Sequence, residues 1–375
     1  MISYETLGIP RVINASGRMT ALGGVALHPD VIAAMVEGGR ANVNMEALKD
    51  VAGERIAAWC GAEAAMVTPG ASAGNVIMTA ATVSGNDPYR AAQLPNATWP
   101  RREIVLQLGH AVSYGGRITQ DIQHGGGIPV LVGTANSVHV YDIDGAINER
   151  TAAVLFVQSH HAVQKGMLDL PTVIAIAHEK GVPVLLDAAA EEDVHKYIAM
   201  GADLVTYSGG KAFEGPTSGF ILGSKERIAA CRLQEGGIAR PMKVGKETIL
   251  GLLAAMERYV TNDVTAEKAR QIGVIEALKG GLADLPHTRL TIEQDEAGRA
   301  IWRLHLTLDE AALGFTATTL MKDLQTHDPP VFPRGHWANT GTVALDPRPI
   351  ADGDVPVIIE AIQSIYARHG AMREA

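Results

Sequence analysis

Seven short runs, each apolar almost throughout, punctuate the first two-thirds of the chain: EAAMVTPG, EIVLQLG, IPVLVG, AAVLFVQS, VPVLLDAAA, DLVTYSGG and SGFILG. Each has the length of a strand, is mostly rich in β-branched residues and ends on small or turn-forming residues. Helix-length patterns lie between them, among them SAGNVIMTAATV, PTVIAIAHEKG and EEDVHKYIAMGA. The second has Pro171 in its first turn and Gly181 just past its end, as a helix of that length needs. Strands apolar on both faces must be covered on both faces, so the chain is expected to be an α/β protein with a mostly parallel seven-stranded sheet. The last two runs are joined by too few residues for a helical crossover, so SGFILG should run antiparallel to DLVTYSGG.

Further on the texture changes. TRLTIEQDEAGRAIWRLHLTLDEAALG alternates polar and apolar residues as half-exposed antiparallel strands do, and DVPVIIEAIQSIYARHG reads as a closing helix. The Pro-rich HDPPVFPRGHW reads as a loop. The expected organisation is an N-terminal segment, residues 1–45, that packs with the small domain, a large domain over 46–255, and a small α+β domain over 256–375.

Composition narrows the function. The chain has 375 residues, 47% hydrophobic and 19% charged, with a formal net charge of −9 and two cysteines. The negative balance argues against gripping phosphate backbones, so nucleic acid is not an expected partner. No apolar run is long enough to span a bilayer, and the start MISYETLGIPRV lacks the layout of a secretory signal. With Cys60 and Cys231 alone there is no disulfide framework. A cytoplasmic protein acting on a small molecule is expected, with no membrane partner.

In open α/β sheets ligands bind beyond the carboxyl ends of the strands. There VPVLLDAAA delivers Asp187, and the next run delivers Ser208 and then Lys211 in SGGKAFEG. Their spacing is about one strand–helix–strand unit, which makes Asp187 and Lys211 neighbours at one sheet edge. They form either a buried ion pair, which costs desolvation, or part of a site. TPGASAGNVIM adds a glycine-rich turn and a helix beginning near Ser72, where free N–H groups and the helix dipole suit a phosphate; an ordinary N-cap serine is the plain alternative. Lysine, aspartate and phosphate cradle together describe a site for pyridoxal 5′-phosphate (PLP). The lysine joins the aldehyde, and the aspartate keeps the pyridine nitrogen protonated so the ring can draw off carbanion charge. A lysine in a small, partly desolvated slot has a lowered pKa and becomes a nucleophile. His110 in QLGHAVSYGG is the candidate for the planar group stacked on the ring, and otherwise a hydrogen-bonded loop histidine.

The order of GASAG, LGHAVSYGG, SHHAVQKGMLDL, VLLDAAAEEDVHKYIAMGADLVTYSGGKAFEGPTSGFILG and VALDPRPI resembles the fold-type-I PLP-dependent enzymes, the aspartate-aminotransferase-like fold. More narrowly, it resembles relatives of L-seryl-tRNA(Sec) selenium transferase over nearly the whole chain. The resemblance implies Lys211 as the lysine that joins PLP, Asp187 as the pyridinium partner, Ser72 and Ala73 as phosphate ligands, His110 as the stacking group and Ser208 as a further phosphate ligand. Selenium transferases carry an additional N-terminal tRNA-binding domain, whereas INASG begins here at Ile13, so a tRNA substrate is not expected. The expected reaction is an α,β-elimination on a 2-amino-3-hydroxy acid, a phosphorylated amino sugar acid, giving a 2-keto-3-deoxy acid and ammonia. The alternative is β-replacement or elimination on a smaller amino acid. Lys211 serves as the Cα base, and Lys211 or His161 as the acid for the leaving hydroxyl. Arg348 in DPRPI suits the substrate carboxylate as an arginine fork, or is a surface residue after a turn. Arg18 and Arg240 are candidates for a distal phosphate. Enzymes of this fold commonly build each site from two chains, so a homodimer or larger homo-oligomer is expected.

Two other readings compete. GASAG matches a hydrolase nucleophile elbow at Ser72, and HGGG at His124 resembles an oxyanion loop, but in such hydrolases that loop precedes the nucleophile. A metal site on His160 and His161 is disfavoured because neighbours on a strand face opposite ways, and no metal is expected.

Overall fold

All seven apolar runs become strands of one sheet in the computed structural model, which describes residues 2–159, 161–295 and 300–370. In chain order the strands are β1 (Ile13–Ala15), β2 (Ala64–Thr68), β3 (Glu103–Gln107), β4 (Ile128–Val132), β5 (Thr151–Val157), β6 (Val184–Asp187), β7 (Leu204–Ser208), β8 (Gly219–Gly223), β9 (Thr288–Gln294), β10 (Trp302–Leu308), β11 (Val331–Pro333) and β12 (Thr342–Leu345). The large sheet has the order β2-β8-β7-β6-β5-β3-β4. Neighbours from β7 to β4 run parallel, and β8 is antiparallel to both β7 and β2. The short β7–β8 connection leaves no room for a helical crossover, which is why the direction reverses there. Buried side chains on both faces of this sheet, such as Val154, Phe156 and Leu186 on one and Leu106, Leu155 and Leu185 on the other, show why its strands carry no polar alternation.

The chain forms two compact units, residues 27–261 and residues 1–26 with 262–375. The helix Pro29–Arg40, which falls inside the expected 1–45 segment, packs along the helix Lys246–Thr261 in the larger unit. Its buried Val31 and Gly38 account for that attachment. In the smaller unit β12-β10-β9 form an antiparallel sheet, with the closing helix Asp354–Arg368 burying Ile358, Ala361, Ile362 and Ile365.

Two readings need correction. EEDVHKYIAMGA yields only the short helix Lys196–Ala199, because the Asp193 carboxylate caps the N–H groups of His195 and Lys196 and starts the helix late. HDPPVFPRGHW is not all loop: Val331–Pro333 is strand β11, paired in parallel with β1.

Charge is buried at the centre of the smaller unit. Arg303, fully enclosed on β10, donates to Asp346 Oδ2 at 2.8 Å and to Asp295 Oδ1 at 3.1 Å. Desolvation alone would raise the Asp346 pKa, but the Arg348 and Arg303 guanidinium groups hold it well below the usual carboxylate range. Asp346→Ala should therefore lower the unfolding free energy by about 3–5 kcal/mol, since it strands buried cations. Urea titration of the variant checks this, and an unchanged midpoint at unchanged slope would refute it.

Candidate active site

Lys211 lies in the turn after β7, and local packing fixes that turn. Gly209 N–H donates to Ser218 O at 2.8 Å and Gly215 N–H to Gly209 O at 2.8 Å, closing the loop on itself. A Cβ on Gly209 would sit 2.2 Å from Ser218 Oγ and 2.8 Å from Leu252 Cδ1, so only glycine fits. Two residues past the lysine, Phe213 is buried against Phe220 and Tyr259 with ring centroids 5.3 Å and 4.9 Å away. That anchor holds the backbone of a partly exposed Lys211 in place.

Asp187 ends β6 and is buried. Its Oδ2 accepts from Asn75 Nδ2 at 2.8 Å and its Oδ1 from the Ala189 N–H at 3.0 Å. Burial raises its pKa, while Asn75, Ala189 and the charge of Lys211 pull it back in part. The structure therefore brings Lys211 and Asp187 within electrostatic reach, as the strand spacing suggests. A buried carboxylate still raised against three partners suits one more positive group, such as a ring nitrogen carrying a proton.

The helix Ala71–Ser84 begins after Gly70, whose position has no side-chain cap hydrogen bond. Its first N–H groups, those of Ser72 and Ala73 among them, are thus open to an anion. The Ser72 hydroxyl is engaged differently: it donates to Asp121, 3.1 Å from each carboxylate oxygen. It meets a carboxylate, not the histidine a hydrolase triad needs. His110 is fully buried beyond β3, edge-on to Phe156 at 4.5 Å. Its Nδ1 accepts from the Val157 N–H at 3.3 Å, while Nε2 is buried with no hydrogen-bond partner. Burial pushes its pKa down to about 4, so the ring is neutral at pH 7. The open helix end, the raised Asp187 and the orphaned His110 Nε2 all lie in the larger unit, and together these residues fit PLP.

Ser208 is the last residue of β7, partly exposed, with its N–H on Ala189 O at 3.2 Å. His161 is exposed in a turn beyond the end of β5, its N–H on Ser159 Oγ at 3.2 Å. It is not on a strand, which removes the alternation argument used against a His160–His161 metal pair; His160 lies outside the described residues. Among the described residues no cluster of three metal-ligating side chains occurs. Both cysteines are buried, their thiols pushed up to about 12, and neither is a nucleophile.

Arg348 and Arg18 belong to the smaller unit, Arg240 to the larger. Arg348 is not a surface residue. Its side chain is 9% exposed and its fork grips Asp346, Nε to Oδ1 at 2.9 Å and Nη2 to Oδ2 at 2.7 Å. The INASGR stretch folds onto this pair. Asn14 Nδ2 donates to Gly17 O at 2.9 Å and Gly24 O at 3.1 Å, and Asn14 Oδ1 accepts from the Ser16 N–H at 3.0 Å. Gly17, at φ +99°, lies where a Cβ would be 2.9 Å from Asp346 Oδ2. Arg18 follows directly, half-buried, with its charge felt at Glu267. Arg240 is exposed on a short 3₁₀ turn.

Sequence reasoning missed Asn75, Asp121 and Tyr114. Asn75 had a signal: three residues after Ser72, it shares a helix face with it. Asp121 and Tyr114 had none.

Sheet order and covering helices are those of the fold-type-I PLP-dependent enzymes. At 18% identity a Sphingomonas wittichii serine palmitoyltransferase shares that fold, with a TM-score of 0.59 over 96% of this chain and 88% of that one. Residues 12–317 match the L-seryl-tRNA selenium transferase family, and the chain belongs to it. It is 42% identical over 371 residues, 98% of each chain, to a D-glucosaminate-6-phosphate ammonia lyase of Salmonella typhimurium. It is also 40% identical, over 98% of this chain and 93% of the other, to a 5′-C-glycyluridine monooxygenase-decarboxylase of a Streptomyces species. A solved structure of a D-glucosaminate-6-phosphate ammonia-lyase superposes with a TM-score of 0.90 at 40% identity, covering 98% of each chain.

Proposed function

We propose that this chain is a PLP-dependent ammonia-lyase that eliminates water across Cα–Cβ of a 2-amino-3-hydroxy acid, a phosphorylated amino sugar acid such as D-glucosaminate 6-phosphate. The observation that carries this reading is the buried Asp187 with the Lys211 charge in reach, in a chain alike from end to end to an ammonia lyase. PLP, when bound, supplies a sink for the electron pair left at Cα.

The side chains do the rest. Asp187, oriented by Asn75, holds the proton at the ring nitrogen. The N–H groups of Ser72 and Ala73, with the helix dipole, bind the cofactor phosphate, with Ser208 as a further ligand. His110, neutral, would be the planar group set against the ring. Lys211 Nζ takes the Cα proton, and Lys211 as ammonium, or His161, gives a proton to the β-hydroxyl so that it leaves as water. A second water hydrolyses the released enamine, after its tautomerisation, to keto acid and ammonia. One water leaves and one enters, so the net change is loss of ammonia. Arg348 is assigned to the substrate carboxylate, Arg18 and Arg240 to its terminal phosphate.

A homodimer or larger homo-oligomer and a cytoplasmic setting complete the proposal, with neither nucleic acid nor membrane as partner. Two buried, unpaired cysteines support a reducing compartment. No helix among the described residues is long and apolar enough to cross a membrane.

The test is a panel of D- and L-2-amino-3-hydroxy acids, with and without a terminal phosphate, assayed for keto acid and ammonia in equal amounts. Turnover of none of them overturns the proposal. The Streptomyces relative motivates a second arm, a 5′-C-glycyl nucleoside with oxygen uptake and CO₂ release as readout, and turnover there alone would assign an oxidative decarboxylation instead.

Arg348→Lys keeps a charge beside Asp346 but loses the fork. KM should rise about ten- to a hundredfold, as for loss of a charge-assisted hydrogen bond, with the cofactor's visible spectrum unchanged. Steady-state kinetics equal to the wild type would move the carboxylate clamp elsewhere.

A further inference from the structure

A carboxylate stands beside the helix end that suits a phosphate. Asp121, on the helix Ile118–His124, is 7% exposed. It accepts hydrogen bonds from the Ser72 hydroxyl and from Tyr114 OH. Asn75, one turn past Ser72, donates to Asp187 and lies close enough to Asp121 to favour its ionised form. Burial raises the Asp121 pKa, and the like charge of Asp187 adds to that. One helix face therefore carries two donors: the Ser72 hydroxyl bonds Asp121, and the Asn75 amide bonds Asp187.

We infer that Asp121, steadied by Tyr114, is a positioning residue that ties the phosphate seat at the Ala71–Ser84 helix start to the orientation of Asp187. Through Ser72 it fixes the first turn, whose N–H groups face the phosphate. Through Asn75, which sits one turn along the same helix and donates to Asp187 Oδ2, it fixes how the Asp187 carboxylate is turned toward the ring nitrogen. Asn75 is held through its Nδ2, which donates to Asp187 Oδ2 at 2.8 Å, while its Oδ1 is buried with no hydrogen-bond partner. The inference rests on the PLP reading above.

Asp121→Asn tests it, because the substituent is the same size but its NH₂ faces the donors of Tyr114, Ser72 or Asn75. The holoenzyme variant should lose PLP on dialysis with an affinity about ten- to a hundredfold weaker, the effect of removing hydrogen bonds to a charged group. With ¹⁵N-labelled PLP, the ring-nitrogen chemical shift should move away from the protonated position expected of the wild type. Tyr114→Phe and Ser72→Ala should shift both readouts the same way by less, and they carry the test if Asp121→Asn does not fold. Variants that melt earlier yet keep wild-type PLP affinity and ring-nitrogen shift would overturn the inference and leave the cofactor reading standing. A wild-type protein that binds no PLP would overturn that reading and this inference with it.

Discussion

Lys211→Ala is expected to release neither ammonia nor keto acid, a loss of about 10⁴-fold or more, because it removes the group that joins the cofactor and the base at Cα together. The turn that carries Lys211 is anchored by Phe213 and closed by backbone bonds of Gly209 and Gly215. Truncating the lysine stem should therefore leave that turn in place. The phosphate and ring-nitrogen contacts do not use the lysine, so the variant should still retain PLP on dialysis. In D₂O no deuterium should enter Cα of added substrate, because nothing takes the proton. The partner measurement is made on the wild type: borohydride reduction, proteolysis and mass spectrometry. A pyridoxyl group on the peptide containing SGGKAFEG is the expected result. Its presence on Lys165 or Lys243 instead would overturn the assignment. A lysine that served only as the ion-pair partner of Asp187 would lower stability when removed and leave no pyridoxyl peptide at all.

The large sheet was legible because its strands are buried on both faces, so each announces itself as an unbroken apolar run, and because a short β7–β8 connection permits one direction only. The nearness of Asp187 and Lys211 was legible for a related reason: successive parallel strands of such a sheet end at one edge, and each delivers a charged side chain there. What escaped was long-range or polar. The β1–β11 pair joins three residues near the start to three that include a proline more than three hundred positions later, and nothing local in INA or VFP marks a strand. The Asp193 cap that shortens the helix at Lys196 depends on a loop conformation. The DPRPI motif singles out Arg348, but its grip on Asp346, which buries it, was not legible, since that carboxylate is also held by Arg303 and closed over by Gly17. Asp121 comes from a third element, and its meeting with Ser72 and Asn75 exists only in the fold.

Asp187→Ala should keep the fold and lose about 10²–10³-fold in kcat, the scale for removing one preorganised charge from a site. The carboxylate ends β6 within electrostatic reach of Lys211, and burial keeps its pKa raised even with Asn75, Ala189 and Lys211 around it. A proton on a bound ring nitrogen supplies the missing positive charge, and removal of Asp187 takes that stabilisation away. Two variants separate charge from shape. Asp187→Asn preserves size and can still accept from the Ala189 N–H, yet it cannot balance a cation, so it should be nearly as impaired as alanine. Asp187→Glu keeps the charge at a displaced position and should recover part of the rate. PLP retention should weaken in the first two, and the ¹⁵N shift of the ring nitrogen should report loss of its proton. Stability moves separately: alanine leaves the Asn75 amide without its acceptor, which costs about 1–3 kcal/mol in urea unfolding, whereas asparagine costs less. Catalytic loss that tracked unfolding across the three variants would make Asp187 a structural residue, and unchanged turnover in Asp187→Ala would end its assignment altogether.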